Sequence, residues 1–137
     1  MAPETLRGPA LPRIAVVGAD GALGAAVLRA LDGTDVAALA TGPGGVDLLG
    51  DDLGPHIEGA AVVVHLDTVF GADLDDAAID RADDVAGAQR VLDAAGESGV
   101  EHVVLLSSAT VYGAWANNAL PLTEDATLRP VPELAHA

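Results

Sequence analysis

The chain has 137 residues and is half apolar, which fits one globular domain and excludes a disordered or fibrous chain. Acids outnumber bases 21 to 6, a net charge of −15, so the basic patches that bind nucleic acid or anionic lipid are excluded. Neither cysteine nor lysine occurs, which rules out disulfides and thiolate metal sites and leaves arginine as the only strong base.

Residues 1–12 hold three prolines and no apolar period, and are expected to form a loose arm. They lack the apolar stretch of a signal peptide, and the longest apolar run, near residues 60–66, is far shorter than a membrane span. A soluble, cytoplasmic protein is expected. RIAVVG (13–18) reads as a buried parallel strand ending in glycine. Residues 21–32 place Leu23, Val27 and Leu31 at helical spacing, with Gly33 as a stop. DVAALA (35–40) is a second strand, TGPGG (41–45) a turn, residues 46–48 a brief third strand, and residues 51–58 a short helix opened by acids. AVVVHL (61–66) is the clearest strand, the fourth. Residues 75–97 form a long helix, with Ala78, Ala82, Val85, Ala88, Leu92 and Ala95 recurring at steps of three and four and Gly99 ending it. VVLLS (103–107) is the fifth strand, and residues 111–137 an irregular tail or pocket loop. Alternating strands and helices imply a parallel sheet covered on both faces. The expected architecture is therefore a doubly wound, Rossmann-like α/β domain over 13–110, with five strands and the later strands of that fold absent.

GADGALG sets Gly18, Gly21 and Gly24 between the first strand and the first helix. A phosphate-binding turn needs glycines there: one for the tight turn, one so that backbone reaches a pyrophosphate, one for close helix–sheet packing. The free N–H groups at the helix start then hold the anion. The motif alone is also compatible, though less so, with a tight strand–helix turn that binds nothing. The acid that holds a ribose 2′-hydroxyl is expected at the end of the second strand, where Ala40 and Thr41 stand instead. No arginine for a 2′-phosphate occurs between Arg29 and Arg81.

With GADGALG, VVVHL, DVAGAQRVLDAA, and SSATVYG followed by PLTED in view, the chain resembles the extended short-chain dehydrogenase/reductase superfamily. More narrowly, it resembles the NAD-dependent epimerase/dehydratase family, whose members act mostly on nucleotide sugars. The resemblance implies the strand order 3-2-1-4-5 and an NAD or NADP cofactor. It implies that Gly18, Gly21 and Gly24 cradle the pyrophosphate and that Asp47, with its neighbour Leu48, meets the adenine. It also implies that Ser108 is the catalytic serine bonded to the reacting hydroxyl or carbonyl, and that Tyr112, Trp115 and Asn118 line a substrate loop.

The family's YxxxK pair does not follow. His136 stands at the tyrosine position, and the 137 residues contain no lysine. Histidine performs general acid/base work elsewhere, so His136 is retained as a catalytic candidate beside a plain terminal imidazole. Asp67 stands where the family has a small residue. A carboxylate ~4 Å from a pyrophosphate charge costs about 4 kcal/mol at an effective dielectric of ~20. Asp84 replaces a preferred asparagine and Ala88 a preferred threonine. Weak or lost cofactor binding is the expectation.

His65 reads as a satisfied core histidine, and His56 and His102 as surface residues. Asp73, Asp75, Asp76, Asp80, Asp83 and Asp84 lack a glycine-centred loop and read as a solvated face, so no metal site is expected. Trp115 reads equally as a stacking residue or as cover for the sheet end. Ser108 with His136 lacks the GxSxG elbow of a hydrolase.

Three functional readings remain: the N-terminal portion of a longer epimerase, dehydratase or reductase; a non-catalytic descendant binding a nucleotide or a partner protein; and half of a split enzyme. The fifth strand, apolar on both faces and without lysine, proline or a bulge, is expected to be an open edge covered by a second copy or a partner chain.

Overall fold

The computed structural model describes residues 11–68 and 77–130, the side chains of 77–82 excepted. Four short strands form one parallel sheet: β1 (Ile14–Val17), β2 (Val36–Leu39), β3 (Val62–His65) and β4 (His102–Leu105). The order is β2-β1-β3-β4, with Ile14 opposite both Val36 and Val62, and Val62 opposite His102. Helix α1 (Ala22–Ala30) packs on β1, α2 (Gly54–Ile57) on β2, and α3 (Ala77–Glu97) on β3 and α2.

The apolar runs form strands because both of their faces find cover. Ala15, Val17, Leu39 and Val63 join Leu53, Ile57, Ala60, Val91 and Ala95 in one core. Val16 is fully buried, and along a strand its side chain points to the face opposite its neighbours Ala15 and Val17. Aliphatic residues and alanine build this core, as the scarcity of aromatic residues requires.

The strand expected at residues 46–48 is not formed, so the described sheet has four strands, not five. The backbone groups that a strand would need are engaged otherwise. The Val46 N–H donates to the carbonyl of Ala40 (2.8 Å), and the Asp47 N–H donates to the Asp51 carboxylate (2.8 Å). Leu48 meanwhile turns into the core at 8% exposure. The other four expected strands keep their expected relative order.

Cover is uneven across the sheet. Val103 packs against the core on the side of α3, whereas Val104, on the other face, is 50% exposed and Leu105 is 47% exposed. Among the described residues β4 pairs only with β3, so its outer edge lies open. The expected irregular segment after residue 110 begins within a 3-10 turn at Ala109–Tyr112 and folds back on itself. Arg129 N–H donates to the Val111 carbonyl (3.0 Å), and the Arg129 guanidinium donates to Asn118 Oδ1 (2.7 Å).

Candidate functional site

The chain crosses from β1 to β2 on one side and to β3 on the other, so the crevice beyond the carboxyl ends of β1 and β3 is the switch point of the sheet. The three glycines of GADGALG lie there, and each has a distinct reason. Gly18 has φ +83, and a Cβ on it would stand 2.7 Å from the Asp67 nitrogen. Gly24 is buried, and a Cβ there would drive into the backbone of Gly18 and Ala19. Gly21 is the N-cap of α1, with no side chain capping the first turn; a Cβ there would meet only the Gly18 carbonyl oxygen, 3.7 Å away. Gly24 thus lets α1 approach the end of β1, Gly18 lets the turn pass against the backbone that follows β3, and the first turn of α1 carries no side-chain cap. That cradle fits a pyrophosphate.

Asp20, inside the same turn, was not singled out from the sequence. Its carboxylate accepts the N–H groups of Thr41 (3.0 Å) and Gly42 (2.9 Å), immediately beyond β2. These bonds, with one from its own N–H, hold the carboxyl below its usual value of 3.8. Gly42 is a glycine for a local reason, since a Cβ there would collide with Asp20 Oδ2. The partners lie 21 and 22 residues away in sequence, so no local pattern discloses the contact.

Asp47 organises its own turn: Oδ1 accepts the Leu49 N–H (2.9 Å), while the Asp47 carbonyl accepts the Asp51 N–H (2.8 Å). It borders a cleft of about 250 Å³ with Thr41, Leu49, Asp67, Asp84 and Gly87. Leu48 packs its side chain against Gly87 of α3 and also borders this cleft. Asp67 is partly buried and borders this cleft and a second one formed with His65, Thr68 and Ser107. Thr68 Oγ1 donates to Asp84 Oδ2 (2.7 Å), which ties the end of β3 to α3.

His65 is 2% exposed and its Nδ1 has no hydrogen-bond partner among the described residues. Burial pushes it below its usual 6.5, against the opposing pull of Asp67 and Asp84. It is a core histidine, as its apolar strand implies, but with Nδ1 left unpaired among the described residues rather than satisfied.

Ser108 is the N-cap of the 3-10 turn. Its Oγ accepts the Thr110 N–H (3.2 Å) and the Thr110 hydroxyl (2.9 Å). With both acceptor sites filled, its own O–H is left to donate outward. Tyr112 ends that turn, partly buried. Trp115 Nε1 donates to the Arg129 carbonyl (2.6 Å) and the Asn118 amide to the Gly113 carbonyl (2.7 Å), so both brace the loop. His136 lies outside the described residues. Among the described residues no group of three or more acids and histidines is placed to hold a metal, and no helix is long and apolar enough to cross a membrane.

The profile of the NAD dependent epimerase/dehydratase family matches residues 14–135. No curated protein matches the chain. Among solved structures, a short-chain dehydrogenase/reductase superfamily protein from Agrobacterium tumefaciens with bound NAD is similar at 33% identity and TM-score 0.68, over 90% of this chain and 40% of that one. UDP-N-acetylglucosamine 4-epimerase from Bacillus cereus is similar at 26% identity and TM-score 0.72, over 92% and 44%. RMD from Pseudomonas aeruginosa complexed with NADPH is similar at 28% identity and TM-score 0.66, over 91% and 44%. The chain spans less than half the length of each of these structures.

Proposed function

Because the chain belongs to the NAD dependent epimerase/dehydratase family, we propose that it is the dinucleotide-binding part, over 13–110, of an oxidoreductase or isomerase that acts on a nucleotide sugar or a related hydroxy or keto substrate. The observation that carries this is the glycine cradle at the switch point, closed against Asp67 at Gly18 and open at Gly21. The similar epimerase supports the substrate class by its name.

In this reading the first-turn amides of α1 would hold the pyrophosphate, and Asp47 with its neighbour Leu48 would meet the adenine end. A nicotinamide held there would supply hydride transfer. Ser108, its acceptor sites filled by Thr110, donates its hydroxyl hydrogen to the substrate oxygen. Tyr112, Trp115 and Asn118 belong to the loop beside it. His136 stands at the position of the family's acid/base tyrosine, and its lysine partner has no counterpart within the 137 residues. These residues by themselves are catalytically incomplete. Binding is weak, because Asp67 brings a carboxylate to the same end of the sheet.

Titration calorimetry with NAD and with NADP tests the reading. Saturable binding weaker than roughly 10 μM is expected for the favoured cofactor. A flat titration up to about 1 mM sinks the dinucleotide reading. Low-micromolar binding would instead show that Asp67 costs little.

A further inference from the structure

The position at the end of β2 that holds a ribose in this architecture is occupied here by Ala40 and Thr41, neither of which carries a charge. A carboxylate nevertheless reaches that place from another part of the chain. Asp20 leaves the glycine turn after β1 and fixes itself to the Thr41 and Gly42 amides, one carboxylate oxygen on each. We propose that Asp20 is the residue that receives the adenosine ribose, accepting its hydroxyl hydrogens, and that it selects a dinucleotide with a free 2′-hydroxyl over one with a 2′-phosphate.

This inference rests on the dinucleotide reading above. Four observations support it. The carboxylate is anchored by two backbone amides, so its position is set by the strand end and not by a free rotamer. Each oxygen takes one of those N–H groups and keeps further acceptor capacity for a hydroxyl donor. The side chain is exposed, so a ligand reaches it. Finally, the sequence holds no arginine between Arg29 and Arg81 and no lysine at all, so this stretch supplies no cation for a phosphate beside Asp20. A 2′-phosphate would meet a fixed negative charge, whereas a 2′-hydroxyl would meet an acceptor.

The test uses fragments that lack the nicotinamide, so that binding is read without turnover. ADP-ribose and 2′-phospho-ADP-ribose are titrated into the ¹⁵N-labelled chain, and amide shifts are followed. ADP-ribose is expected to bind roughly tenfold or more tightly than its 2′-phosphate, with the Asp20, Thr41 and Gly42 amides shifting along with those of residues 21–24. Asp20→Asn and Asp20→Ser, each checked for an unchanged amide spectrum elsewhere, are expected to shrink the preference to about threefold or less. Equal binding of the two fragments overturns the proposal while leaving the dinucleotide reading intact. So does a preference that survives both substitutions, or a shift at residues 21–24 without one at Thr41 and Gly42. Absence of binding by either fragment overturns the proposal and the dinucleotide reading together.

Discussion

Gly18 and Asp67 meet backbone to backbone at the end of the sheet: a Cβ on Gly18 would stand 2.7 Å from the Asp67 nitrogen and 3.0 Å from its Cα. Because φ is +83 at Gly18, two separate penalties act at one residue. Gly33 shares the positive φ of +81, yet a Cβ there would meet nothing within 4 Å. Gly18→Ala is therefore expected to lower stability by about 2–4 kcal/mol, and Gly33→Ala by about 1 kcal/mol. Urea unfolding of the two variants measures the difference. Equal losses would show that conformation alone, and not the contact with Asp67, governs Gly18.

The pH dependence of stability should carry the signature of His65. Its folded-state value lies below 6.5, so the unfolded chain binds the proton more readily. The contribution is complete above about 6.5 and is lost as pH falls from there through the folded-state value. Thermal melts between pH 8 and pH 5 should show this decline, and His65→Leu should flatten it across the same range. An unchanged slope in the variant would place the titrating group elsewhere.

Ser108→Ala removes the acceptor for both Thr110 donors and is expected to cost about 0.5–2 kcal/mol, the usual loss for a cap. Ser108→Thr should restore most of it. The wild-type 137-residue chain is expected to show no sustained reduction of NAD or NADP with any nucleotide sugar, as followed by absorbance. Turnover that disappears in both Ser108→Ala and His136→Ala would make the histidine a working acid/base.

The open edge of β4 is expected to pair with a second strand, whether from another copy of the chain or from a partner. In the doubly wound order a sixth strand lies beside the fifth, and Val104 and Leu105 are exposed there on opposite faces. Light scattering should show association rising with concentration, and Val104→Lys should reduce it. A clean monomer whose amides at 103–106 are well protected from hydrogen exchange would mean that the edge is already covered.

Much of this fold was legible because its cause is local. Stretches such as VVV and IAVV are unbroken apolar runs, and Gly18, Gly21 and Gly24 mark the turn by spacing alone. Residues 46–48 misled for the same reason: a valine and a leucine around an aspartate look like a strand, but the amides they need are taken by Ala40 and Asp51. Asp20 was illegible because its meaning depends on Thr41 and Gly42, which only the β1–β2 pairing brings to it. The Ser108–Thr110 contact spans two residues and was open to reading as a serine turn.

The position of β1 in the middle of the sheet also bears on how the protein is made. A ribosome delivers Ile14–Val17 before either of its neighbours, yet both edges of that strand require partners, at Val36–Leu39 and at Val62–His65. A nascent chain that has emerged only as far as Gly59 holds half of that pairing and none of β3. The centre of the sheet closes only when His65 is free of the exit tunnel, and β4 adds after the whole of α3 has followed. Assembly thus waits on segments far apart in the sequence, and non-local pairing of this kind slows folding.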